Sequence, residues 1–280
     1  GTLESFDRRV RTSADAQRAT QLSVIGSVPN FRTIGDRAVS VMVVRDAFRA
    51  LRTNMHFLGM RVPGVIAVTS AAPGEGKSTV AANLALALVD QGLRVLLIDA
   101  DLRRPLVHKV FETTAAPGLK DVIEGTAPLD VAIRTPPLPI AGTLHNLPSG
   151  TPDDDPAKLL TSKAFALLIA QLRDLHEVII IDTPPVLAAV DALSVVTLAD
   201  SVLVLARANQ TDSSALTEAV EQLRRAKVPL TGVIINAVSG SGTPYYRYRE
   251  YYLNGRRSGR DQSRRPLIFS ARDLPDGRTG

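Results

Sequence analysis

Five short apolar runs punctuate the chain: Val65-Ile66-Ala67-Val68, Val95-Leu96-Leu97-Ile98, Val178-Ile179-Ile180-Ile181, Val202 to Ala206, and Val233-Ile234-Ile235. Each is too short for a helix, and the third has four β-branched residues in a row, so they read as strands covered on both faces. Helical spacing fills the gaps. Over residues 41–58, Val44, Phe48, Leu51, Met55 and Leu58 recur three or four apart, which predicts one apolar helix face. Residues 80–89 predict an amphipathic helix. Pro156 suits a helix start, and Leu159, Leu160, Phe165, Leu168 and Leu172 carry that helix to about Leu175. Helices are also expected over 189–198 and 213–227, a short one over 118–124, and a weak strand over 144–147. The prolines near Pro136 and the stretch 148–155 read as loop. Alternating strands and helices imply parallel strands joined by crossovers. The expected fold is α/β, a doubly wound, mainly parallel sheet flanked by helices, with a ligand at the carboxyl ends of the strands.

The two ends depart from this pattern. Residues 1–39 are polar, with Ser13 placed to cap a small helix over 14–20 and an extended piece over 24–29. A loosely attached arm is expected there, followed by a domain over 40–239 and a flexible tail over 240–280. The tail opens on Gly240-Ser241-Gly242, and residues 245–280 hold nine arginines against four acids, which accounts for the whole net charge of +5. The remainder is close to neutral, which argues against a globular nucleic-acid-binding face. With no cysteine, disulfides and thiolate metal sites are excluded, and His56, His108, His145 and His176 lack ligand spacing. No apolar run approaches the ~20 residues of a membrane span, and the polar, charged start does not read as a signal peptide.

The chemistry gathers at strand ends. After the first strand comes Ser70-Ala71-Ala72-Pro73-Gly74-Glu75-Gly76-Lys77-Ser78-Thr79, and then a helix. Such a loop turns backbone N–H groups on an anion. The helix start adds partial positive charge, Lys77 reaches terminal phosphates, and the Ser78 hydroxyl can ligate Mg²⁺. Ala71 stands where the usual pattern has its first glycine. The second strand ends in Asp99-Ala100-Asp101, and Asp182 ends the third. Asp182 suits an acid that positions Mg²⁺ or its water. Of Asp99 and Asp101, one can assist the metal and the other accept a proton, with a helix cap an equal reading for Asp101. Asn236 can face the base or ribose, or form a turn. All five tyrosines, Tyr245, Tyr246, Tyr248, Tyr251 and Tyr252, lie in one tail cluster interleaved with arginine. Packing would scatter them. They suit phosphate acceptors, although stacking on single-stranded nucleic acid or insertion at a membrane interface also fits. A phenol with a pKa near ~10 needs a base to attack phosphate at neutral pH. Asp46, Arg49 and Arg52 form a three-residue-spaced polar stripe on the 41–58 helix, either an intrahelical pair or a subunit contact.

These motifs together resemble the bacterial tyrosine kinases of the polysaccharide-export type, over nearly the whole chain. Residues 69–79 resemble that family's Walker A motif, residues 95–105 its second acidic motif, residues 179–185 its Walker B, and 245–252 its autophosphorylation tail. The resemblance implies a P-loop NTPase-type fold that uses ATP and Mg²⁺. It places Gly74, Glu75, Gly76, Lys77, Ser78, Thr79 and Asn236 at the nucleotide and Ser78, Asp99 and Asp182 at the metal. Lys77, Asp99, Asp101 and Asp182 are then catalytic. It also implies a ring-like homo-oligomer in which the tyrosine tail of one subunit enters its neighbour's site. Asp46, Arg49 and Arg52 match the spacing of the family's Glu-x-x-Arg-x-x-Arg interface motif, with Asp46 one methylene shorter. Residues 3–29 resemble the segment that follows a membrane helix in fused members. The implied setting is the cytoplasmic face of the bacterial inner membrane, reached through a segment absent here. The implied partners are polysaccharide polymerisation and export machinery and a protein-tyrosine phosphatase, with no specific nucleic acid. Two other readings remain: a Min/Par-type partition ATPase, which would carry an extra lysine where Ala71-Ala72-Pro73 stands, and a nucleotide-dependent scaffold without catalysis.

Overall fold

The β-branched runs form one sheet in the computed structural model, which describes residues 8–30, 37–136, 141–153 and 155–239, with backbone only for 37–41. In chain order the elements are α1 (Ser13–Thr20), β1 (Val24–Pro29), α2 (Arg37–Phe57), β2 (Gly64–Ser70), α3 (Lys77–Val89), β3 (Arg94–Asp99), α4 (Val107–Val110), α5 (Leu119–Ile123), α6 (Leu129–Ala132) and β4 (Thr143–Leu147). There follow α7 (Pro156–Leu160), α8 (Lys163–Arg173), β5 (Val178–Asp182), α9 (Asp191–Val196), β6 (Ser201–Arg207), α10 (Ser213–Arg225) and β7 (Leu230–Val238). Seven strands pair in the order β1-β7-β6-β2-β5-β3-β4, and every pairing is parallel. All residues of β2 and β5 are buried, as strands with helices on both faces require.

Alternate residues of each strand feed two apolar cores. Val65, Ala67, Leu96, Ile98, Ile179, Ile181, Val202 and Val204 pack with α8, α9 and α10. Ile66, Val68, Leu97, Ile180 and Leu203 pack with α2 and α3. The chain leaves β2 through α3 and enters β3 beyond β5, whereas β6 lies on β2's other side. A crevice of this kind is where doubly wound folds bind ligands.

The structure corrects several expectations. The stretch 8–30 is not a loose arm: β1 is an edge strand paired with β7, and α1 lies against α10 with Ala16 and Thr20 buried. Thr12, not Ser13, caps α1. Strand β1 covers an edge that β7 would otherwise leave bare. Helix α3 is not amphipathic, because every residue from Lys77 to Val89 is buried, with α2 on its outer side. The helix expected over 156–175 is two. Thr161 ends α7, and the Ser162 hydroxyl accepts from Phe165 N at 3.1 Å, which starts α8 afresh. Leu58 is 42% exposed just past α2 and does not continue its buried face. The weak strand at 144–147 is a full partner of β3.

Candidate nucleotide site

Between β2 and α3 the chain turns through two left-handed glycines, Gly74 (φ 80°) and Gly76 (φ 96°), the latter being the N-cap of α3. A side chain at Gly76 would run into the Asn236 amide, so both backbone angle and space demand glycine. The loop is braced from behind. Asn236 Nδ2 donates to Glu75 O at 2.8 Å, and Asn236 Oδ1 accepts from Ala237 N at 2.8 Å. The Glu75 carboxylate is buried, accepts from Ala72 N at 3.1 Å, and receives the Thr211 hydroxyl. Thr211 Oγ1 in turn accepts from Arg207 N at 2.7 Å, and Arg207 Nη1 donates to Gly74 O at 3.2 Å. Glu75 and Asn236, expected at the nucleotide, thus also hold the loop through these bonds.

Lys77, Ser78 and Thr79 form the first turn of α3, and all three are buried. Lys77 Nζ lies 3.8 Å from Asp101 Oδ2. Strand register puts Asp99 and Asp182 side by side at the ends of β3 and β5. Both Asp182 oxygens are buried, and among the described residues the Ser78 hydroxyl is the one side-chain donor beside them. Burial pushes the Asp182 carboxyl up to about 7 against the pull of Lys77 and the nearby Ser78 hydroxyl. Asp99 is raised well above the usual carboxylate range by burial and by Asp182. Its Oδ2 accepts from Leu106 N at 3.0 Å and Val107 N at 2.9 Å, while its Oδ1 is buried without a partner. Burial also raises Asp101, opposed first by Lys77, and Asp101 Oδ1 accepts from Arg104 N at 3.2 Å. Three buried carboxylates thus cluster at the strand ends, with the Lys77 ammonium acting on Asp101 and Asp182, an arrangement short of positive charge. Among the described residues no three acidic or imidazole side chains form a ready-made metal cage.

The remaining predicted residues separate from this centre. Arg49 Nη2 pairs with Asp90 Oδ2 at 2.7 Å and reaches Asp46 only at 3.9 Å, and Arg52 Nη1 donates to Ala87 O at 2.8 Å. Both arginines thus bond the C-terminal end of α3 from α2. The tyrosines of the tail lie outside the described residues. Thr211, Arg207 and Asp191 escaped the sequence reading, since a lone Thr, Arg or Asp in a loop or at a helix start carries no distinguishing spacing.

The chain matches the CobQ/CobB/MinD/ParA nucleotide binding domain over residues 66–256. It is 36% identical over 204 residues to the tyrosine-protein kinase YwqD of Bacillus subtilis, covering 72% of this chain and 85% of that protein. It is 34% identical over 209 residues to the tyrosine-protein kinase wzc of Salmonella typhimurium, covering 74% of this chain but only 29% of that longer protein. The kinase domain of the Escherichia coli tyrosine kinase ETK superposes with a TM-score of 0.74 at 27% identity, covering 84% of this chain and 99% of that domain. These matches show that the chain belongs to the bacterial tyrosine-protein kinases of the MinD/ParA-type nucleotide-binding class.

Proposed function

We propose that this chain is an ATP-dependent protein-tyrosine autokinase that phosphorylates its own cluster Tyr245, Tyr246, Tyr248, Tyr251 and Tyr252, in trans between subunits of a ring-like homo-oligomer. One observation carries the reading: buried Lys77, at the head of a glycine loop, lies 3.8 Å from buried Asp101, in a cluster with the buried carboxylates of Asp99 and Asp182. The loop amides from Gly74 to Thr79 and Lys77 hold the phosphates of ATP. The buried oxygens of Asp182 and Asp99 beside the Ser78 hydroxyl fit Mg²⁺, with phosphate and water completing its coordination. Bound there, Mg²⁺ would neutralise developing phosphate charge.

Asp101 is the better proton acceptor of the two remaining candidates. One Asp99 oxygen is committed to two backbone amides, whereas Asp101 is less buried and keeps its Oδ2 near Lys77. The phenol oxygen attacks the γ-phosphorus as its proton passes to Asp101, the bond from the γ-phosphorus to the bridging oxygen breaks, and ADP leaves. The setting is the cytoplasmic face of the inner membrane, reached through a segment outside this sequence. The task is regulation of capsular or extracellular polysaccharide synthesis and export, with polymerisation machinery and a protein-tyrosine phosphatase as partners. No described helix is long and apolar enough to cross a membrane.

Intact-mass spectrometry before and after Mg-ATP tests the proposal. Added phosphate is expected on residues 245–252 and absent in Lys77→Met and in the variant with all five tyrosines changed to Phe. Phosphate released only to solution would favour the partition-type ATPase. Label on serine or threonine would overturn the acceptor assignment.

A further inference from the structure

The site holds one more buried acid that the scheme above leaves unused. Asp191 opens α9 and is 1% exposed. Its Oδ1 lies 3.3 Å from Arg103 Nη2, and its Oδ2 is buried with no hydrogen-bond partner. Arg103 lies two residues beyond Asp101, on the turn that leaves β3, and its side chain is 48% exposed. Asp191 is also close enough to Asp101 to act on it electrostatically. Two ion pairs, Lys77–Asp101 and Arg103–Asp191, therefore engage the same short turn that leaves β3.

A fully buried carboxylate with a half-exposed partner is a poor stabilising device, since its desolvation rivals the attraction it gains. It does restrain its partner. A guanidinium is a planar fork with five N–H donors, so the contact with Asp191 leaves others to face the solvent side. In transit, a phosphoryl group spreads its charge over three oxygens, which a fork matches better than a point charge does.

We infer that Asp191 is a positioning residue that holds the Arg103 guanidinium at the mouth of the nucleotide site, where Arg103 contacts the phosphoryl group as it leaves the nucleotide. The inference rests on the kinase reading only for the identity of the acceptor. The same contact serves transfer to a phenol or to water.

The test uses the full chain with Mg-ATP and follows phosphotyrosine and free phosphate together, beside equilibrium binding of ADP. Arg103→Ala is expected to lower the transfer rate by about tenfold or more while ADP affinity changes by less than about threefold. Asp191→Asn is expected to match that loss. The double variant should be no slower than Arg103→Ala alone, because both changes act through one guanidinium. Trapping of ADP with aluminium fluoride, a mimic of the phosphoryl group in transit, needs no turnover and should weaken by about tenfold or more in the same variants. Multiplying losses in the double variant, or normal trapping by Arg103→Ala, would overturn the inference. A parallel fall in ADP affinity and melting temperature in both single variants would assign the pair to holding the 102–106 turn, and would overturn it too. If the wild-type chain releases phosphate without labelling tyrosine, the kinase reading fails while the Asp191–Arg103 comparison is read on phosphate release.

Discussion

Asp182 is fully buried, and Lys77 and the Ser78 hydroxyl offset only part of its desolvation, so its own charge opposes the fold. Its carboxyl, raised to about 7, binds a proton more tightly folded than unfolded, where the ordinary value is about 3.9. The sign follows from linkage. The neutral acid's contribution is fully present below about pH 4 and is lost as pH rises through about 7. In metal-free, nucleotide-free buffer, Asp182→Asn is therefore expected to melt about 2 °C or more higher than the wild type at pH 8, with a smaller gain at pH 5. The same variant should lose tyrosine phosphorylation. Thermal melting at both pH values checks this, and a gain no larger at pH 8 than at pH 5 would refute it. Lys77 and Ser78 were legible in the sequence because the glycine loop fixes their place. Asp191 was not, because a single Asp before an apolar helix reads as an ordinary helix start.

At the scale of elements, the glycine loop is held by the turn between β6 and α10 as much as by its own sequence. Thr211 joins Glu75 to the Arg207 backbone within that turn. Thr211→Val removes the hydroxyl and leaves the buried Glu75 carboxylate short of a donor. A stability loss of about 1–3 kcal/mol is expected, together with weaker nucleotide binding. Denaturant unfolding and ADP titration measure the two, and unchanged ADP affinity would show that the brace does not set the loop's shape. Helix α2 serves α3 in a similar way, through Arg49 to Asp90 and Arg52 to Ala87. If the stripe is also a subunit contact, as the family resemblance implies, combined Asp46→Ala, Arg49→Ala and Arg52→Ala should reduce the mass seen by light scattering. A lower melting temperature with unchanged mass would confine the stripe to α2–α3 packing.

For the whole molecule, the segment before α2 is part of the sheet. Val10 is fully buried, and its backbone exchanges hydrogen bonds with Thr211 and Asn209 at 2.8 Å, while Ser213 N donates to Arg8 O at 2.8 Å. Strand β1 completes the edge at β7, and α1 covers α10. Removing residues 1–30 should expose that edge and the α10 face, lower the melting temperature and promote association. Because the same segment touches the Thr211 turn, nucleotide affinity should fall as well. A truncated chain that melts like the full one would restore the loose-arm reading.

The sequence by itself determined the element types and the catalytic loop. Four β-branched residues in a row can be little other than a buried strand, and a strand, a glycine loop and a Lys-Ser helix start carry their geometry locally. It also placed Asp99, Asp101 and Asp182 at strand ends. Only tertiary structure decided what each group faces. The register of β3 against β5 made Asp99 and Asp182 neighbours. The packing of the β6–α10 turn and β7 onto the loop made Glu75 and Asn236 part of its bracing. The bare edge of β7 drew in residues 24–29, which the sequence marked as extended without showing what they would pair with. Local patterns report backbone preference and burial, whereas hydrogen-bond partners more than a hundred residues apart depend on which surfaces the assembled sheet leaves uncovered.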